Sequence, residues 1–352
     1  MGNKMPKVLV CSVHFGAGHT AHLNAYQKML AECGYDAALY IDPRYMNLLN
    51  DVKGKIFFDL QDGLNFHPDV VWIWNTGFEN IKIIRAFKKI NSRIAYVLHE
   101  PFMGVGNLTK EKGYLIKGTG AMLLNYWLCM KSDKVIVCSQ EGEKNCRMYM
   151  KGAYKKHILF PLAYPDEMVE GLERKYFSKI GGFGITHGSE QFLNFVKQSY
   201  VKNNIFFQIA TRANITEKLK DSSLQSMIKE GRLIVQQGRP LTEKEMNEAY
   251  RRSICTWNGY LRSTQSGVLA NSFMQGTPVI ATHLGSFDEY VKDGENGTFI
   301  DDYSYDTIFN AYQRIASNID EMSKNARNTF LEQFYYRNQE EKFKEIIESL
   351  VN

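Results

Sequence analysis

The chain has 352 residues, 44% of them hydrophobic and 23% charged, and a formal net charge of +5. It is long for a single core and comfortable for two domains of roughly 150 residues, and its apolar content excludes extended disorder. No apolar run reaches the ~18–20 residues that would span a bilayer. The charge is uneven: residues 1–165 hold 21 Lys and Arg against 13 Asp and Glu, whereas residues 166–352 hold 22 against 25. A basic first half fits an anionic acceptor, a peripheral contact with an anionic membrane, or a solvated face with no partner. No nucleic-acid partner is expected.

Residues 7–13 form an apolar run that leads straight into a glycine loop, which predicts a first strand rather than a signal peptide. Pro6 stands where a myristoylation signal needs Ser or Thr, and the six cysteines form no Cys-x-x-Cys pair. These features predict a cytoplasmic chain with reduced, buried thiols. Helical spacing over 20–33 is followed by strands over 37–41 and 69–74, a helix over 81–90, a strand over 94–98, a strand over 134–138 and a helix over 141–150. After a proline-marked linker near 160–166, a second series starts. Strands are expected over 181–185, 204–210, 232–236, 254–257 and 278–282. Helices are expected over 190–199, 224–230, 243–252, 267–275 and 287–292, and residues 304–351 are helical. Continuous apolar strands alternating with helices imply an α/β chain with two doubly wound, parallel, Rossmann-like sheets. Such sheets bind ligands beyond the C-terminal ends of their strands, and two of them facing each other make a cleft.

The most informative stretch is 263–300, STQSGVLANSFMQGTPVIATHLGSFDEYVKDGENGTFI. Residues 263–267 are a small polar loop before a helix. Such a loop offers backbone N–H groups and a positive helix end to a diphosphate, which nominates Ser266 and Gly267. Gly276-Thr277-Pro278 is a helix stop and tight turn, and the strand after it ends at a second small-residue loop, 283–286. Taken singly, these are ordinary turns.

Taken together they resemble the donor-binding region of family 4 retaining glycosyltransferases. There a Glu-x7-Glu element precedes a helix, a G-x-P-V strand and a Gly-Gly-x-x-Glu turn. The matching segment is GTPVIATHLGSFDEYVKDGENGTFI, with Glu289 at the turn glutamate. The resemblance is fairly specific from Gly276 to Gly297. Elsewhere the glycine loop, the linker and QQGRPLTEKEMNEAYRRS fall in the expected order. It implies the GT-B fold, with a first domain at 1–163, a nucleotide-sugar domain at 164–335 and a C-terminal helix at 336–352 returning to the first. It also implies transfer of a sugar from a UDP-, GDP- or dTDP-linked donor to a hydroxyl of a glycan or lipid-linked acceptor, with retention. The family's two acidic positions fall here on Ser263 and Asn271. The Arg and Lys that it sets after the first strand of the second domain are missing from GGFGITHGSEQ. Arg212 and Arg239, each following a predicted strand, are the proposed stand-ins, with Lys244, Arg262 and, more weakly, His187 behind them.

In the first half, His14-Phe15-Gly16-Ala17-Gly18-His19 joins the first strand to the first helix. Glycines allow close backbone approach to a ligand. The resemblance puts Gly16 and Gly18 near the donor phosphate and His14 and His19 near the acceptor. The G-x-G-x-x-G spacing and its acidic follower are absent, so no dinucleotide site is read. His99 ends a predicted strand and suits proton transfer or polarisation of a hydroxyl, with Glu100 as its orienting partner. Residues 112–131 mix lysines with Leu, Tyr, Trp and Met, as a membrane-resting helix or, more plainly, a core helix would. No carboxylate cluster or His/Cys set has metal-ligand spacing, so neither a metal nor another cofactor is expected. Two rival functions remain open: a non-catalytic partner of another transferase, and a nucleotide-sugar epimerase.

Overall fold

The computed structural model describes residues 5–49, 52, 54–99, 114–263 and 265–352. The chain divides into two compact units, Met1–Pro165 with Phe334–Asn352, and Asp166–Gln333. No helix among the described residues is long and apolar enough to cross a membrane.

The first unit holds seven strands: β1 Lys7–Ser12, β2 Asp36–Ile41, β3 Lys55–Phe57, β4 Val70–Ile73, β5 Arg93–Leu98, β6 Lys134–Val137 and β7 His157–Leu159. Their order is β3-β2-β1-β4-β5-β6-β7 and every pairing is parallel. The second unit holds six: β8 Tyr176–Ile180, β9 Phe206–Ala210, β10 Leu233–Gln236, β11 Ser253–Asn258, β12 Val279–Ala281 and β13 Gly297–Phe299. Their order is β10-β9-β8-β11-β12-β13, again all parallel. Both are doubly wound. The order reverses between β1 and β4 in the first sheet and between β8 and β11 in the second. These reversals are where open α/β sheets leave a crevice for ligand.

Burial on both faces accounts for the unbroken apolar runs: Val8, Leu9 and Val10 of β1 and all four residues of β4 are inaccessible to solvent. The segment after Phe334 returns to the first unit. Tyr164 donates its N–H to the Phe334 carbonyl and accepts at its own carbonyl from Tyr336. The helix Glu340–Val351 then buries Phe343 among Tyr26, Trp72 and Phe160, with ring centroids 5.0–5.9 Å away.

One expected strand moves. Residues 181–185 form a glycine turn, with Gly181 at φ 88°, and the strand is Tyr176–Ile180, five residues earlier. Ser178 and Lys179 break its apolar pattern, yet both are buried. Three further strands, β3, β7 and β13, are only three residues long and leave no readable period.

The loops that follow β8 and β11 are held together by backbone. Gly188 has φ 59°, and a Cβ there would overlap the Gly259 carbonyl oxygen. The Trp257 indole donates to the Gly188 carbonyl at 3.1 Å, and Leu261 N–H donates to the Thr186 carbonyl. Gly188→Ala should therefore lower stability by at least about 2 kcal/mol in denaturant titration, from left-handed strain plus the clash. Phe343→Ala should cost about 3–5 kcal/mol in the same measurement.

Candidate functional site

In the first unit, the loop 13–19 follows β1 and is organised by one tyrosine. The turn Pro43–Tyr45, whose Asp42 cap accepts from Arg44 N–H, brings the Tyr45 ring into the core. The Tyr45 hydroxyl accepts from Gly16 N–H at 2.9 Å and from Ser12 Oγ at 3.3 Å, and donates to the His14 carbonyl at 3.1 Å. Asn75, at φ 61° just beyond β4, extends its amide to the His14 carbonyl and to His19 Nδ1 at 2.9 Å. His19 thus accepts at Nδ1, which leaves its proton on Nε2. Gly16 has no room for a Cβ beside the His19 ring, whereas Gly18 faces open space.

Trp74 lies at the centre of this edge. His19, His22 and His99 pack on its indole with ring centroids 6.0, 4.7 and 5.8 Å away. His22, in the helix Thr20–Glu32 that His19 precedes, is buried and donates Nδ1–H to the Ala163 carbonyl at 3.0 Å. Burial holds it down to about 3, with His99 and His19 adding to the shift, so it stays neutral. His99 is half-buried directly after β5. The structure therefore brings His14, His19 and His99 together at the C-terminal edge of this sheet. Glu100 lies outside the described residues, as do residues 112 and 113. The rest of 112–131 is the helix Tyr114–Lys131, which buries Leu124, Leu128 and Cys129 and exposes Leu123 and Tyr126.

In the second unit, the helix Gly267–Met274 begins at Ser266, whose Oγ accepts from Leu269 N–H and donates to Asn258 Oδ1 at 3.4 Å. Ser263 Oγ donates to the Gln265 carbonyl at 2.7 Å, and Asn271 is half-buried on the helix. Glu289 sits half-buried in the short helix Phe287–Tyr290 after β12. Arg212 follows β9 and is exposed. Arg239 follows β10, the edge strand two places from β8, and its guanidinium is engaged by Glu245. Glu245 is also the N3 member of a capping box with Thr242, and Arg239 holds its carboxyl down to about 2. Arg239 is therefore set apart from the switch point and is already paired.

Two residues stand closer. Lys179, one residue from the end of β8, is 1% exposed, and its Nζ finds no hydrogen-bond partner. The ammonium is 5.3 Å from the Tyr260 ring centroid. Desolvation pushes it down to about 7. The His187 ring lies 5.1 Å from Tyr260, edge-on, and is pushed down to about 4 by burial and then by Lys179. Burial pushes Tyr260 up to about 12. Lys179, Tyr260, His187 and the capped helix end thus converge at the reversal between β8 and β11. No sequence signal marked Lys179, because it lies inside a strand. Among the described residues, no group of three or more His, Cys, Asp or Glu is placed to hold a metal ion.

Residues 169–329 match the family model described as glycosyl transferases group 1. A search of curated protein sequences found no match. Among solved structures, Anabaena Alr3699/HepE in complex with UDP superposes with a TM-score of 0.72 at 12% identity, covering 98% of this chain and 100% of that one. Sucrose-phosphate synthase from Thermosynechococcus elongatus gives 0.70 at 13%, covering 98% and 99%. WaaG, a glycosyltransferase involved in lipopolysaccharide biosynthesis, gives 0.66 at 14%, covering 97% and 99%. Such identities speak for shared fold. The chain therefore combines two doubly wound parallel-sheet units, as in the GT-B fold of these structures, with a glycosyl transferases group 1 domain over residues 169–329.

Proposed function

We propose that the protein moves a sugar from a UDP-, GDP- or dTDP-linked donor to a hydroxyl of a glycan or lipid-linked glycan, with retention at the anomeric carbon and without a metal. The observation that carries this is the convergence, inside the matched domain, of a capped helix N-terminus with a cationic side chain at the β8–β11 reversal. The helix end, together with the lysine once a phosphate draws a proton to it, favours a diphosphate in the ground state. It favours it more as the glycosidic bond breaks and negative charge gathers on the leaving oxygen. That HepE is solved with UDP and with UDP-glucose supports a uridine donor as the first to try.

The roles divide between the two sheet edges. Ser266 and Gly267 present the helix end to the phosphates. Asn271 offers an amide to a ribose hydroxyl, and Ser263 and Glu289 offer acceptors to sugar hydroxyls. His14, His19 and His99 serve the acceptor. His99 is assigned to the acceptor hydroxyl or the anomeric centre, since it is the half-buried imidazole at the end of β5, braced by Trp74.

Thermal stabilisation by UDP, GDP, dTDP and their sugar conjugates tests the donor. A bound nucleotide at ~100 times its dissociation constant should add about 2.7 kcal/mol, and silence across the panel would remove the reading. His99→Ala should lower transfer at least about a hundredfold while nucleotide affinity stays within about twofold. Joint loss of both would take His99 out of this role.

A further inference from the structure

A buried ammonium with no acceptor is a costly arrangement, tolerated where a ligand supplies the counter-charge. Lys179 is such a group. It sits at the strand end beside the reversal of order, the place where a sheet of this kind holds its ligand. Gly181, Gly182 and Gly184 follow it, so no side chain of these three stands over the strand end. Among the described residues, no carboxylate bonds to the Lys179 ammonium. From β9, Ile209 pairs with Lys179 in register; from β11, Cys255 is a buried thiol pushed far up by desolvation. Glu190, in the first turn of the helix Ser189–Lys202, is paired with Lys218. The titratable groups that do face Lys179 are His187, which it influences, and Tyr260, whose ring it approaches.

Resting on the nucleotide-sugar reading above, we propose that Lys179 is the principal cation for the donor's diphosphate, acting from within strand β8 rather than from a loop. Tyr260 and the Ser266 cap form the opposite wall of the same subsite. This site gives binding a distinct signature. Free, Lys179 is held down to about 7 by burial, so near pH 8 most of it is neutral. A diphosphate restores the charged form, so nucleotide binding takes up a proton from solvent. The same burial fixes the sign for stability. The folded state holds this proton less tightly than the unfolded chain, whose lysine titrates near ~10.4. The unfolded state therefore binds more protons between about pH 7 and 10, and stability rises with pH across that window. Lys179→Met removes the penalty, so the ligand-free variant should melt higher than wild type near pH 6, with the gap closing toward pH 10.

The test is calorimetric titration of the whole chain with UDP at about pH 8, where the terminal phosphate (pKa about 6) is already ionised, in two buffers of different ionisation enthalpy. GDP and dTDP are run alongside, and the matching nucleoside serves as the diphosphate-free control. Wild type should take up a sizeable fraction of one proton on binding the diphosphate. Lys179→Met should lose roughly tenfold or more in nucleoside diphosphate affinity, keep its nucleoside affinity, and take up no proton. His187→Asn should retain the uptake, and Lys179→Arg should recover part of the affinity. Unchanged affinity in Lys179→Met, or uptake that disappears only in His187→Asn, overturns the assignment. Failure of wild type to bind any of the three diphosphates overturns the donor reading itself and this proposal with it.

Discussion

Two carbonyl-bearing turns pressed together set the shape of the second sheet's edge. At Gly188 the chain is left-handed and lies so near the Gly259 carbonyl that no side chain fits, while the Trp257 indole fastens the Gly188 carbonyl from below. That contact fixes the mouth of the β8–β11 crevice. Tyr260 and His187 follow from it, since each is a near neighbour in sequence of one of the two glycines. The ring arrangement between them is a by-product of backbone placement. Rigidity here comes from backbone sterics and one indole hydrogen bond.

The first unit reaches a comparable edge by other means. A single phenol, Tyr45, gathers Ser12, Gly16 and the His14 carbonyl, and Asn75 adds a second cross-link from beyond β4. A left-handed asparagine is tolerated because its short amide satisfies the loop it faces. Three imidazoles then share the Trp74 indole. The one most deeply buried, His22, is kept neutral and packs as a polar aromatic.

Much of this was legible in the sequence, for identifiable reasons. Strands such as 70–73 are buried on both faces and so read as unbroken apolar runs. The small-residue loops before helices were legible as well, at 16–18 ahead of the helix Thr20–Glu32 and at 266–267 where the helix Gly267–Met274 begins. What escaped lay in two places. Strand β8 was displaced by five residues in the reading because Ser178 and Lys179 interrupt it. A pattern search takes such buried polar residues for a loop. The three-residue strands β3, β7 and β13 also escaped, whereas β12, equally short, was marked by the Gly276-Thr277-Pro278 turn before it. Tyr45 and Asn75 escaped because their partners lie 29 and 61 residues away, so their purpose exists only after folding. Arg239 was nominated from its position after a strand, while its salt bridge to the helix cap at Glu245 depends on a turn that spacing did not reveal.

The return of the chain after Phe334 bears on how the protein is made. The second unit is a continuous insert, Asp166–Gln333, within the first. Phe343 completes an aromatic cluster whose other members, Tyr26, Trp72 and Phe160, emerge from the ribosome far earlier. During synthesis the insert has all of its own strands in hand before the first unit acquires its last core residue. Domains that fold as they appear would here finish in reverse order, the inner one first. Until the helix Glu340–Val351 docks, the earlier-made unit carries an open apolar seat, and that interval is when it is most exposed to chaperones and to aggregation.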